Sequence, residues 1–166
     1  ASVDRPVSRL FFGAARPEMI RGENANELLD SMFALGVNAF DCARNYGLAE
    51  KSLGMWLEHR GRRDDVILLS KCGHHDTETM EKRVNAKCMR EDLSVSLSLL
   101  GVDKIDIYLL HRDDESRPVG EMVETFNQMH AEGKIGAFGA SNWTHERIEQ
   151  ANEYAYAHNL LPFSVS

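Results

Sequence analysis

Four short apolar runs in this chain each end in a residue able to do chemistry. Val37-Asn38-Ala39-Phe40 leads into Asp41, and Val66-Ile67-Leu68-Leu69-Ser70 leads into Lys71. Ile105-Asp106-Ile107-Tyr108-Leu109-Leu110 leads into His111, and Ile135-Gly136-Ala137-Phe138-Gly139-Ala140 leads into Ser141 and Asn142. An acid, an ammonium and an imidazole can hold and move protons, and Tyr46 stands in the loop after Asp41. In a parallel β/α barrel the C-terminal ends of the strands meet on one face, and that face carries the active site. Each residue alone also reads as a polar position where a strand leaves the core. Four such types at equivalent strand ends read better as one constellation.

The elements that would deliver them show as periodicity. Leu28, Leu29, Met32 and Phe33 share a helical face before Gly36, and Ala49, Leu53, Trp56 and Leu57 repeat it before Gly61. Met89, Leu93, Leu97 and Leu100 precede Gly101, and Val123, Phe126 and Met129 precede Gly133. Glycine just past a periodic stretch is a helix stop, because it accepts a left-handed backbone. A fifth pattern, Ile148, Ala151 and Ala155, comes after Thr144, a good N-cap. Strands are expected near Arg9, Val37, Val66, Lys104, Lys134 and Pro162, one βα unit per about 30 residues. The runs are apolar almost throughout, as strands buried on both faces must be. A (β/α)8 barrel needs about 250 residues, so this chain reads as one incomplete barrel domain over residues 1–166: five βα units and a sixth strand. A doubly wound sheet could close at this length, but Gly13-Ala14-Ala15-Arg16 lacks the GxGxxG phosphate cradle.

Composition narrows the partners. The net charge of −7 disfavours nucleic acid and anionic membranes. Arg60, Arg62 and Arg63 form a short basic run, but Asp64 and Asp65 come at once after it, so it reads as a solvated helix end. No run is long enough for a membrane span. Cys42, Cys72 and Cys88 are odd in number and lack CxxC spacing, which argues against a disulfide framework or zinc site and for a reducing compartment, the cytoplasm. His74, His75 and Asp76 lie in the longest non-periodic stretch. Adjacent histidines do not readily converge on one ion, so we read a solvated loop and no metal.

Asp41-Cys42-Ala43-Arg44-Asn45-Tyr46-Gly47, with Glu50 shortly after, resembles the signature of the aldo-keto reductases. Lys71, His111 and Ser141-Asn142 fall at the matching strand ends, and Gly133-Lys134-Ile135-Gly136 leading into Ala140 is also similar to that family. The resemblance runs from about Val7 to the last residue. It implies NADPH-dependent reduction of an aldehyde or ketone, a small-molecule carbonyl substrate. Asp41, Tyr46, Lys71 and His111 would be catalytic, and Ala14, Asp41, Ser141 and Asn142 would bind the cofactor. The residue types suit those roles. Hydride reaching a carbonyl carbon leaves charge on oxygen, which needs a proton donor. An ordinary phenol holds its proton too tightly at neutral pH, and a lysine ammonium beside it eases release. Asp41 would aim Lys71, and His111 would hydrogen-bond the substrate oxygen.

Ser141 and Asn142 could instead cap the next helix, and Trp143 reads as core or rim packing. The family's aromatic residue on nicotinamide and its basic phosphate groups belong to barrel units seven and eight, which these residues do not include. Two rival functions remain: a Schiff-base lyase using Lys71, disfavoured by its Asp41 partner, and a non-catalytic nucleotide-binding subunit of the same family.

Overall fold

The apolar runs form five strands in the computed structural model of the protein, which describes residues 2–61 and 63–166. They are β1 (Phe11–Gly13), β2 (Ala39–Asp41), β3 (Ile67–Cys72), β4 (Ile105–Leu110) and β5 (Ile135–Ala140). All pairings are parallel and the strands lie in chain order, β1 to β5. The expected sixth strand is a single parallel bridge from Val165 to Gly139, beside β5. Arg62 of the basic run lies outside the described residues.

The helices are α1 (Pro17–Ile20), α2 (Asn26–Ala34), α3 (Ala49–Arg60), α4 (Ala86–Leu100), α5 (Val119–Ala131) and α6 (His145–Ala157). The four glycines read as stops, Gly36, Gly61, Gly101 and Gly133, all have positive φ. Thr144 caps α6, its Oγ1 accepting from Arg147 N at 3.2 Å, and Asn85 caps α4, accepting from Cys88 N at 2.9 Å. The short α1 has no apolar periodicity. It starts because Pro17 supplies helical φ at the first position, where no N–H is needed.

Strand side chains alternate between two apolar clusters. Phe40, Leu68, Tyr108, Leu110 and Phe138 pack behind the sheet against the helices, with Trp56, Met89 and Phe126. Phe40 and Trp56 have ring centroids 4.9 Å apart, and Trp56 Nε1 donates to Asp30 at 2.9 Å, so a fully buried indole keeps its polar atom paired. Ala39, Ile67, Leu69, Ile107, Leu109 and Ala137 form a second cluster on the opposite face. Buried Asp106 ties the N-terminal end of the sheet together. It pairs with Arg5 and Arg63 and accepts from Leu68 N at 2.8 Å. Among the described residues, no helix is long and apolar enough to cross a membrane.

Candidate active site

Strand register puts the candidate residues on one face and at one end. Asp41 pairs with Leu69 in the ladder, Lys71 with Leu109, and Leu110 with Ala140. Asp41 and Lys71 therefore alternate with the strand residues that face the helices, and share the opposite face with Ala39, Ile67 and Leu69. Backbone bonds prolong this end of the sheet: Cys42 N to Leu69 O at 2.8 Å, Arg44 N to Lys71 O at 3.0 Å, His111 N to Cys72 O at 2.8 Å and Ser141 N to Leu110 O at 2.7 Å.

The loop from β2 to α3 is fixed on both sides of Tyr46. Tyr46 N donates to Ala43 O, Ala49 N donates back to Tyr46 O, both at 3.0 Å, and Leu48 N reaches Ile20 O at 2.9 Å. Gly47, between them, has φ +57°, and a Cβ there would lie 2.7 Å from Ile20 O. Only glycine fits such a close approach with a left-handed backbone.

Lys71 is buried and forms an ion pair with Asp41. Its Nζ donates to Cys42 O at 3.0 Å and lies 5.1 Å from the Tyr46 ring centroid. A buried ammonium needs such partners, because desolvating an unpaired charge costs several kcal/mol, on the order of 5. The His111 ring meets the Tyr46 ring edge-on, centroids 5.6 Å apart. The expectation is Tyr46 Oη within hydrogen-bond reach of Lys71 or His111. The structure has ring contacts instead, because Asp41 and the Cys42 carbonyl already draw the ammonium. Its third proton remains for an acceptor.

Burial, with Lys71 and then His74 and Arg112 nearby, pushes the His111 imidazole down to about 4, so it is neutral at pH 7. Its Nδ1 is buried without a partner. An unpaired buried N–H is costlier than an unpaired lone pair, which assigns the proton to Nε2. His111 is thus a neutral hydrogen-bond donor.

Asn142 has φ +61°, and its Nδ2 donates to His111 O at 2.9 Å and Ser141 Oγ at 3.2 Å. Neither residue caps α6, since Thr144 does. Trp143 donates from Nε1 to Arg112 O at 3.0 Å and packs 5.7 Å from Phe163, a rim packing role. Ala14 follows β1 at the same end of the sheet, but its side chain takes the other face. It is wholly buried in the cluster behind the sheet, its N–H donating to Asp41 O at 2.8 Å, and it presents no surface to a cofactor. A small residue after a strand carries no sign of which face it takes.

Two residues named in the sequence without a role at the site pack against it. His74 is half-buried, not simply solvated, with its ring 5.1 Å from that of His111. Glu50, in the first turn of α3, is buried and accepts from Ser70 Oγ at 2.6 Å. Burial pushes its carboxyl up. This bond ties the start of α3 to the strand residue before Lys71. The signal was present: Glu50 shares a helical face with Leu53 and Leu57, and alternation turns Ser70 toward the helices.

The aldo/keto reductase family model matches residues 9–166. The chain belongs to this family. Family membership implies a (β/α)8 barrel, and the five-stranded parallel sheet is consistent with part of one. Norsolorinic acid reductase B of Aspergillus parasiticus is 32% identical over 96% of this chain and 45% of its own length. Aldo-keto reductase str7 of Strobilurus tenacellus is 31% identical, over 76% of this chain and 37% of its own length. A putative voltage-gated potassium channel subunit beta of Schizosaccharomyces pombe is 31% identical, over 84% and 42%. The chain thus spans less than half the length of these curated relatives.

Proposed function

We propose that the protein carrying this chain reduces an aldehyde or ketone to an alcohol with hydride from NADPH, with Tyr46 as general acid. The observation that carries this reading is the Asp41-paired Lys71 ammonium 5.1 Å from the Tyr46 ring, with neutral His111 edge-on to the same ring at 5.6 Å. Lys71 stabilises the phenolate that Tyr46 becomes on giving its proton to the carbonyl oxygen. Asp41 keeps the ammonium charged and aimed. His111 donates a hydrogen bond to the same oxygen, strongest as charge builds there. Ser141 and Asn142 fit a nicotinamide carboxamide: the Asn142 amide N–H group is taken up locally, leaving its oxygen to accept. The bound cofactor supplies the hydride.

The test is steady-state kinetics of the full-length protein. Tyr46→Phe should lower kcat more than tenfold, over about 1.4 kcal/mol, with NADPH affinity nearly unchanged, because the hydroxyl acts in the transition state. Lys71→Met should behave alike. If Tyr46→Phe kept more than about a tenth of kcat, general acid catalysis by Tyr46 would be wrong. The similarity to a channel subunit makes a non-catalytic nucleotide-binding role the rival, and absence of NADPH turnover with a reactive aldehyde would favour it.

A further inference from the structure

Charge is distributed unevenly over the arginines. Nine of those described are in ion pairs, whereas the guanidinium groups of Arg9, Arg44 and Arg112 make no ion pair or hydrogen bond among the described residues, and Arg44 acts on the buried Glu50 carboxyl only through space. Arg9 precedes β1, at the far end of the sheet. The other two flank the reactive rim. Arg44 N is bonded to Lys71 O, and Arg112 comes directly after His111.

Arg44 lines a cleft of about 540 Å³ with Asn45, His74, His75 and Arg83. Its two acids are already committed. Asp76 accepts from Glu78 N, Thr79 N and Thr79 Oγ1 at 2.8–3.0 Å. Asp92 pairs with Arg83 at 2.6 Å and accepts from Gly73 N at 2.9 Å. The cleft's uncommitted charge is therefore a guanidinium. His111 and His75 both sense the positive field: burial first, and then neighbouring cations that include Arg112, hold each imidazole below its usual value.

A half-buried guanidinium without an ion pair, in a cleft whose His74 also packs 5.1 Å from His111, is a binding group for an anion, with a planar fork that suits carboxylate or phosphate oxygens. We propose that the carbonyl substrate carries an anionic group, a carboxylate or a phosphate, bound by Arg44, with Arg112 adding to the positive field at the rim. This rests on the carbonyl-reductase reading and names the substrate class for the same site.

The experiment compares charged and neutral partners of one skeleton on the full-length protein. The pairs are 4-carboxybenzaldehyde against its methyl ester, and glyceraldehyde 3-phosphate against glyceraldehyde. We expect the anionic member to have at least tenfold higher kcat/KM in one pair, and the pair showing it distinguishes carboxylate from phosphate. Arg44→Gln should bring that ratio close to one, and Arg112→Gln should lower it partway. Arg90→Gln, a remote exposed change, should keep it. Equal or better turnover of both neutral compounds overturns the proposal and leaves the reductase reading standing. If nothing is turned over, titration calorimetry with the same four compounds still decides. Tighter binding of an anionic member, lost in Arg44→Gln, supports the anion site while the reductase reading fails; equal binding within both pairs overturns the site.

Discussion

An imidazole buried among cations has its protonation state fixed by its surroundings, and His111 is such a group. Its folded value lies near 4, below the usual 6.5, chiefly through burial and then through Lys71, His74 and Arg112. As pH falls through 6.5 the unfolded chain takes up this proton first, while the folded chain does not. Stability contributed by neutral His111 is therefore complete above pH 6.5 and is lost between 6.5 and about 4. Urea unfolding at pH 7 and pH 4.5 should show this loss, and it should be smaller in His111→Gln, which cannot take the proton. An equal loss in both proteins would place the imidazole in a more solvated setting than described. Asp114 does not confuse the window: Lys82 and Ser116 hold its carboxyl down to about 2, so its effect comes at lower pH.

The loop joining β2 to α3 decides where the phenol stands, and it turns on one glycine. Gly47→Ala would force an alanine into a left-handed backbone and its methyl to 2.7 Å from Ile20 O. A cost of about 1–2 kcal/mol in stability is expected from the conformation alone. The larger effect should be on turnover, since Tyr46 would shift, and a displacement of about 1 Å at a reacting group can cost on the order of 100-fold. Chemical denaturation and kcat measured on the same sample check both. Loss of stability with kcat intact would mean that the backbone bonds from Tyr46 to Ala43 and Ala49 hold the phenol unaided. At this scale most of the structure was legible in the chain. Apolar runs ending in Asp41, Lys71, His111 and Ser141 became β2 to β5 with those residues at their ends, because buried parallel strands leave little else for such runs to be. Glycine stops and the Thr144 cap were legible because they are local chemistry. α1 was not, since four residues carry no period, and neither was the face taken by Ala14, since a methyl group fits either side.

At the scale of the whole molecule, the sheet divides its apolar residues between two clusters, and only the one behind it is covered by helices. β1 forms one edge, where Leu10 is 71% and Phe11 42% exposed. Exposed apolar edges invite pairing with other chains. A polypeptide of these 166 residues alone should therefore self-associate, which light scattering over a concentration series would detect; a monodisperse monomer at high concentration would refute it. Contacts such as His74 against His111, or Glu50 against Ser70, also belong to this scale. They join segments far apart in the chain, so a local pattern can give the face each residue takes but not the partner it meets there. The three thiols draw a practical consequence from the same layering. Cys42 and Cys72 are buried behind the sheet, and burial lifts Cys42 to about 12 and Cys72 well above its usual range. Cys88, in the first turn of α4, is half-buried. An alkylating reagent applied to the native fold has one thiol of this chain to reach, so a fluorophore or spin label would take a single, known position in the first turn of α4, without any cysteine being engineered in or out.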